Sequence, residues 1–375
     1  MHPRRLLISL ALSLAAPLSA LAQPADNIVV AQIGPFTVLP APDAQELNEG
    51  IRAALDEVNG KGGINGRQVD LLTLDDAYSY SGFKTRLKEA LGRKAVALLS
   101  PIGSPTLKSV LDDKLLDSND IVILNTLPGA SVLREPGHPR LFHVRAGDEQ
   151  QIRKIVEHAR ALTIKSMGVL YQDIPVGSSG FTSAQVAAAD GGGMKVDGVQ
   201  SGTDPASIAA AAKAIADARP QSVLAIGSPR FMGESVKALR AAGVSQQIFT
   251  LSYLPAPAMH KIAGPGARGV GIAQAFPNPT GVVKPLQRRF QAAMKASHPE
   301  LKGYTPVHME GYVTARVFIE AALNARTVSP SGLAESLRRM GEVDMGGFRV
   351  KFGPDNVGSS WVDIGVVTAD GRLLY

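Results

Sequence analysis

The chain contains no cysteine among its 375 residues. That excludes disulfides, thiolate metal sites and a cysteine nucleophile. It equally excludes a lipid-modified cysteine behind an export signal, so no covalent membrane tether is expected. Charge of one sign is never concentrated: 39 basic and 33 acidic residues are interleaved, as in KTRLKEALGRK (84–94). A nucleic-acid binder gathers its lysines and arginines on one face or in one run, so the charge reads as solvated surface and no nucleic-acid partner is expected. Past the first two dozen residues there is no apolar run of the roughly 20 residues that span a bilayer.

The one apolar run opens the chain, MHPRRLLISLALSLAAPLSALAQ. Arg4 and Arg5 form a basic start, residues 6–19 are apolar, and Ala20-Leu21-Ala22 is a small-x-small cleavage pattern before Gln23. The run is too short for a membrane anchor and is interrupted by Pro17, which identifies residues 1–22 as a secretory signal peptide. The mature protein is therefore expected to be exported, soluble and not lipid-anchored, as in a Gram-negative periplasm. Loss of Arg4 and Arg5 lowers the formal charge from +6 to +4. The length that remains suggests two domains.

Motifs of catalysis are also missing. Gly264-Pro265-Gly266-Ala267-Arg268-Gly269 has dinucleotide spacing but follows a helical stretch (AMHKIA) and enters the strand-like VGIAQAF, the reverse of a phosphate-binding turn. Gly177-Ser178-Ser179-Gly180 lacks the second glycine of a nucleophile elbow where one is required. There is no Walker sequence, and the histidines show neither i,i+4 pairing nor a carboxylate at metal-ligand spacing. No catalytic residue, cofactor or metal is assigned.

What is present is alternation. NIVVAQI (27–33) is an apolar, β-branched run closed by Gly34-Pro35, as a buried parallel strand requires. Residues 43–59 place Leu47, Ile51, Leu55 and Val58 at helical spacing and stop at Asn59-Gly60. VDLLTL (69–74) is the next strand. Further strands are predicted at 95–100, 120–125, 141–145, 167–171, 194–199, 222–227, 247–251 and 269–275, with helical segments such as 147–162 between most of them. This is an α/β pattern of parallel sheets with helices on both faces. Asp75-Asp76 ends a strand at the edge where open α/β sheets place ligand loops. Adjacent strand residues point to opposite faces, so the pair reads as loop-capping and not as a metal or acid/base site.

Several segments, in one order over nearly the whole mature chain, resemble a known family: VVAQIGPFT, LNEGIRAALDEVNGKGGINGRQVDLLTLDDAY, ALLSPIGSPT, PGASVLREPGHPRLFHVRAGDE, GVLYQDIPVGSSGF, ARPQSVLAIGSP, and HMEGYVTARVFIEAAL followed by MGGFRVKFGP. The resemblance is to the branched-chain amino acid (Leu/Ile/Val)-binding family of periplasmic receptors, which serve ABC transporters. It implies the type I periplasmic binding fold, two doubly wound parallel-sheet lobes joined by three chain crossings. The first lobe is expected at 24–145 plus 277–346 and the second at 146–276 plus 347–375, with FRVKF and WVDIGVV in the second. A small ligand would lie between lobes that close over it.

Ser104 and Pro105 read as N-cap and first residue of a helix containing Leu107, Val110 and Leu111. The free amides beyond the cap, with the Ser104 and Thr106 hydroxyls, would receive a ligand carboxylate, the role the resemblance gives to a serine here. It places a second contact at Pro128 or Gly129, where family members often offer a threonine hydroxyl. It places Tyr171 and Asp173, Ser228 and Pro229, and Ser252 and Tyr253 at cleft-facing strand ends. Val176 and Pro229 stand where aromatic residues are common, and Ser252 where some amino-acid receptors place the acid for the ligand's ammonium. Asp173 is the acid expected to substitute, and Phe36 and Tyr253 could enclose an apolar part. The implied function is capture of a small carboxylate, an amino acid or a non-amino-acid aromatic or aliphatic acid, by a monomeric receptor that hands it to an ABC membrane permease. A receptor feeding a membrane sensor and an exported enzyme are the other readings.

Overall fold

The computed structural model describes residues 26–37, 42–190 and 193–375; the signal peptide expected at 1–22 lies outside them. Two separate sheets organise the chain. The first contains β1 (Ile28–Gly34), β2 (Val69–Asp75), β3 (Ala97–Leu99), β4 (Val122–Leu124) and β5 (Leu141–Phe142) in the order β2-β1-β3-β4-β5. All its pairings are parallel, beginning with Ile28 opposite Val69. The second is built on β6 (Ser166–Gln172), β7 (Lys195–Ser201), β8 (Ser222–Ile226), β9 (Gln247–Thr250) and β10 (Gly271–Gln274). A small pair follows, β11 (Val343–Asp344) with β12 (Arg349–Val350), and then β13 (Asp363–Val367) and β14 (Leu373–Leu374). The second sheet runs β14-β13-β10-β9-β8-β6-β7, parallel from β7 to β10, with β13 and β14 added antiparallel at the edge.

Both parallel blocks share one winding. In each, the first strand lies between the second and the third, which makes a topological switch point beside the first strand's carboxyl end. The predicted strands are all found within a few residues of their expected limits, because strands covered on both faces leave apolar runs in the sequence.

The helices are α1 (Pro42–Asn59), α2 (Tyr80–Gly92), α3 (Ser104–Asp112), α4 (Leu115–Ser118), α5 (Asp148–Ala161), α6 (Pro175–Ala189), α7 (Pro205–Ala218), α8 (Pro229–Ala241), α9 (Ala256–Ala263), α10 (Pro285–Ser297), α11 (Pro306–Asn324) and α12 (Pro330–Arg339). In α1 the predicted stripe Leu47, Ile51, Leu55 and Val58 is buried, joined by Ala44 and Ala54. Its exit, GKGGINGR, holds Gly62, Gly63, Asn65 and Gly66 at positive φ. A Cβ on Gly63 would sit 2.1 Å from the Arg67 carbonyl oxygen, so that turn admits only glycine. Helix α11 crosses α1 at backbone contact: a Cβ on Gly50 would lie 2.0 Å from the His308 oxygen, and one on Gly311 would lie 2.2 Å from the Leu47 oxygen. Met309, Tyr312, Val313, Phe318 and Ile319 of α11 are all buried in the first-sheet core, each contributing about 1.5–3 kcal/mol.

The chain passes between the sheets three times: between β5 and β6, between β10 and α10, and between β12 and β13. Two crossings run side by side. His143 bridges Val357 in parallel, its amide donating to the Asn356 carbonyl at 2.9 Å while the Gly358 amide donates to the His143 carbonyl at 2.7 Å. One expectation is corrected here. Phe348, Val350 and Phe352 pack in the first-sheet core with Phe276 and Phe142, so FRVKF stays with the first lobe. The short β12 pairs with β11 and buries its apolar face locally, which a strand-like pattern alone does not reveal. WVDIGVV does join the second sheet, as β13.

Candidate functional site

The carboxyl ends of the two parallel blocks face each other across a narrow crevice, the place where open α/β sheets bind ligands. From the first lobe come Asp43, Tyr78, Ile102, Gly103, Ser104, Leu127 and Pro128, and from the second Ile174, Val176, Gly227, Ser228, Pro229 and Tyr253. Every one of these lies in a loop or first helical turn beyond a strand. A larger groove, about 270 Å3, between α11, α12 and β11, is lined by Arg326, Arg339, Glu335 and neighbours. It lies away from the carboxyl ends of both parallel blocks, and Arg339 is already paired with Glu335 at 2.9 Å, so fold topology favours the smaller crevice.

The Ser104 loop differs from its expected geometry in one respect. Gly103, at φ 104°, occupies the cap position and makes no side-chain cap; Ser104 is the first helical residue and Pro105 follows it. The left-handed φ is why glycine stands there. The Leu107 amide donates to the Gly103 carbonyl at 3.0 Å, whereas the Ser104 and Thr106 amides have no protein acceptor among the described residues. The positive end of α3 therefore opens beside Ser104. Ser104 and Thr106 are both buried, and Ser104 lines the crevice.

The loop after β2 completes this wall. Asp75 accepts from the Phe36 amide at 2.9 Å, the Ala77 amide at 3.2 Å and the Thr37 hydroxyl, which ties the β1 and β2 exits together. Asp76 accepts from the Tyr78 amide at 2.9 Å, and burial pushes its carboxyl up to about 6. The pair is loop-capping, as the alternation of strand residues indicates. Ala77 and Tyr78 are both held at positive φ, 49° and 53°, a strained stretch for non-glycine residues. The strain turns the Tyr78 ring against Gly103, where a Cβ would lie 3.2 Å from Tyr78 Cε2.

Behind the crevice lies a buried polar network absent from the sequence reading. Arg145, fully buried at the first crossing, donates from Nη1 to the Leu127 carbonyl at 2.6 Å and to both Glu310 oxygens at 3.2 Å. Its Nη2 donates to the Ser252 hydroxyl, and its guanidinium lies 5.0 Å from the Tyr253 ring centroid. Asn125, itself at φ 60°, donates to Glu310 at 2.9 Å. The Tyr253 hydroxyl accepts from the Gly129 amide at 2.7 Å and donates to Asp148. Arg134 reaches the Arg145 carbonyl at 3.3 Å, and burial lowers its guanidinium to about 10. Two cations, Arg134 and Arg145, thus sit with two carboxyls, Asp148 and Glu310. Burial raises both acids, a cost that the arginines oppose. Ser252 and Tyr253 come from the second lobe and Leu127, Gly129 and Glu310 from the first, so the network spans the junction.

Of the residues expected at the site, Ser104, Pro128, Ser228, Pro229 and Tyr253 line the crevice. The other six stand outside its lining. Thr106 is on the first turn of α3, and Phe36 is half-buried with its amide held by Asp75. Gly129 is pressed against Asp148, whose Oδ1 would be 2.6 Å from a Cβ there, so no threonine-like side chain fits. Tyr171 stacks on Phe181 at 4.8 Å, Asp173 is exposed, and Ser252 is engaged by Arg145. Asp43, Tyr78, Ile102 and Ile174 line the crevice without having been expected. Among the described residues no group of His, Asp or Glu has the geometry of a metal site, and no helix is long and apolar enough to cross a membrane.

Two doubly wound lobes, a crevice between their strand ends and three crossings behind it define a ligand clamp of the periplasmic receptor class. The chain belongs to the periplasmic binding protein family, whose model matches residues 27–372. A solved extracellular ligand-binding receptor from Verminephrobacter eiseniae is 47% identical, with a TM-score of 0.90 over 93% of this chain and 100% of that one. A fatty acid ABC transporter substrate-binding protein from Thermomonospora curvata shares the fold at 18% identity and a TM-score of 0.80, covering 92% of this chain and 90% of that one. An ABC transporter substrate-binding protein from Desulfitobacterium hafniense in complex with Leu does so at 18% and 0.76, over 93% and 99%. No curated protein matches the chain. The family consists of substrate-binding receptors and not enzymes.

Proposed function

We propose that this protein is an exported, monomeric receptor that captures a small carboxylate-bearing solute, an amino acid, in the crevice and delivers it unchanged to the membrane permease of an ABC transporter. One observation carries the reading: the start of α3 opens unpaired amides beside the buried Ser104, in a crevice fed by the strand ends of both lobes. Such a helix end favours an anion, and the leucine and fatty acid of the two distant relatives share a carboxylate. We divide the lobes at the three crossings, keeping residues up to Phe352 with the first. Ser104 and the Thr106 amide would hold the carboxylate, with Pro128, Ser228 and Tyr253 enclosing the remainder. Contacts to both lobes at once make closure favourable, since a ligand touching one lobe shifts no equilibrium between open and closed.

A thermal-shift screen of amino acids and simple carboxylates tests this directly. A cognate solute at 100 times its dissociation constant stabilises the fold by about 2.7 kcal/mol; melting curves unmoved by every carboxylate would defeat the reading. In Ser104→Ala, carboxylate affinity should fall by roughly 5-fold, the loss of about one hydrogen bond. Titration calorimetry checks it, and unchanged affinity would place the anchor elsewhere.

A further inference from the structure

Asp43, in the first turn of α1, is buried, 4% exposed, yet its Oδ1 finds no hydrogen-bond partner among the described residues. It lines the crevice, and among the described residues it is the only ionisable one other than tyrosine that does; the lining they form holds no lysine, arginine or histidine. The groups whose charge reaches it are Glu46 on its own helix, Tyr78 from the β2 exit, and Glu310 on α11. None is a cation, and Arg145, the guanidinium behind the crevice, is committed to Glu310, Leu127 and Ser252.

An acid in a first helical turn offsets the helix dipole, but an exposed one does so without the cost of desolvation. Burying a carboxyl with an unsatisfied oxygen is costly unless a partner arrives. Neither expected position serves: Ser252, where the family resemblance places an acid for the ligand, is bonded to Arg145, and Asp173, the acid expected to substitute, is exposed outside the lining. Asp43 occupies the crevice with the one free carboxyl oxygen among the residues that line it.

We propose that Asp43 is the specificity-determining residue of the crevice, its carboxylate receiving a protonated amine on the ligand while the start of α3 holds the ligand's carboxylate. The inference rests on the carboxylate-receptor reading and narrows it to zwitterions. Burial holds the empty site's Asp43 carboxyl up to about 7. Below that pH the carboxyl O–H bond breaks as the ammonium docks; the proton leaves to solvent and the N–H donates to the carboxylate. An acid lacking the amine would face a bare carboxylate above that pH.

The test uses wild-type protein and Asp43→Asn with pairs differing only by the amine: leucine against 4-methylpentanoate, phenylalanine against 3-phenylpropanoate, glutamate against glutarate. In calorimetry at pH 8 the amine member of the binding pair should be favoured by about 10-fold or more in wild type, as for a lost charge-assisted bond. In Asp43→Asn the preference should shrink to within about 3-fold. At pH 6, wild-type binding of the amine member should release a proton, read from heats in buffers of different ionisation enthalpy; this readout needs no variant to fold. A wild-type preference for the deaminated member, a preference surviving in Asp43→Asn, or no proton release at pH 6 overturns the inference and leaves carboxylate capture standing. Failure of all six compounds to bind overturns both.

Discussion

Two buried sets of carboxyls lie close together in this molecule and are treated oppositely. At the junction, the charges of Glu310 and Asp148 are countered by Arg145 and Arg134, and Asn125, Ser252 and Tyr253 bond to the set, although Arg134 Nε and Nη1, Arg145 Nε and Asp148 Oδ2 have no hydrogen-bond partner among the described residues. At the crevice, Asp43 is buried without a cation beside it and with an orphan oxygen among the described residues. The first arrangement balances its charges within the fold and holds parts together. The second has no counter-charge among the described residues, and an uncompensated acid in a cleft is what a binding site looks like before its ligand arrives.

The largest effect should come from breaking the matched set. Glu310→Ala leaves Arg145 buried and unpaired and should cost about 3–5 kcal/mol, measured by urea unfolding, whereas Arg145→Met with Glu310→Leu should recover much of that. Next, the unmatched acid should behave in the reverse sense. Its carboxyl is raised from 3.8 to about 7, so the stability that protonation lends the fold is complete below about pH 4 and disappears as pH rises through 7. Asparagine does not titrate there. Asp43→Asn should therefore be more stable than wild type by roughly 2–4 kcal/mol at pH 8, with the difference shrinking toward pH 4.5. A pH-independent difference in unfolding free energy would contradict the assignment.

Tyr253→Phe tests whether the junction network joins the lobes. It strands the Gly129 amide and the Asp148 carboxyl, and about 1–3 kcal/mol should be lost, accompanied by a larger radius of gyration in solution scattering. Unchanged stability would mean that water replaces the hydroxyl freely. The smallest effect belongs to a surface pair. Lys213 and Asp217 are 72% and 66% exposed, and Lys213→Ala should shift the melting temperature by less than the equivalent of about 0.5 kcal/mol.

Much of this architecture was legible because parallel strands buried on both faces leave apolar runs, and because the chain alternates regularly between the two element types. The crevice residues Ser104, Pro128, Ser228 and Tyr253 were legible for a related reason: each follows a strand end, where such sheets bind ligands. Asp43 was not, because an acid just inside a helix reads as dipole compensation and burial has no local signature. The Arg145–Glu310 pair was not either, being separated by 165 positions in the chain. FRVKF looked like a strand of the second sheet because a period-two pattern states that one face is buried, not against what. The cap at α3 was off by one residue, since the left-handed backbone at Gly103 is invisible until a φ is known.

The central claim is that a carboxylate docks where α3 begins, with both lobes closed around it. A crystal structure with the tightest-binding solute from the carboxylate screen tests it most directly. The account predicts carboxylate oxygens about 2.7–3.2 Å from the Ser104 and Thr106 amide nitrogens, with Tyr253 and Ser228 covering the solute from the other lobe. A solute bound outside this crevice, or bound in it with its carboxylate turned away from α3, would contradict the account.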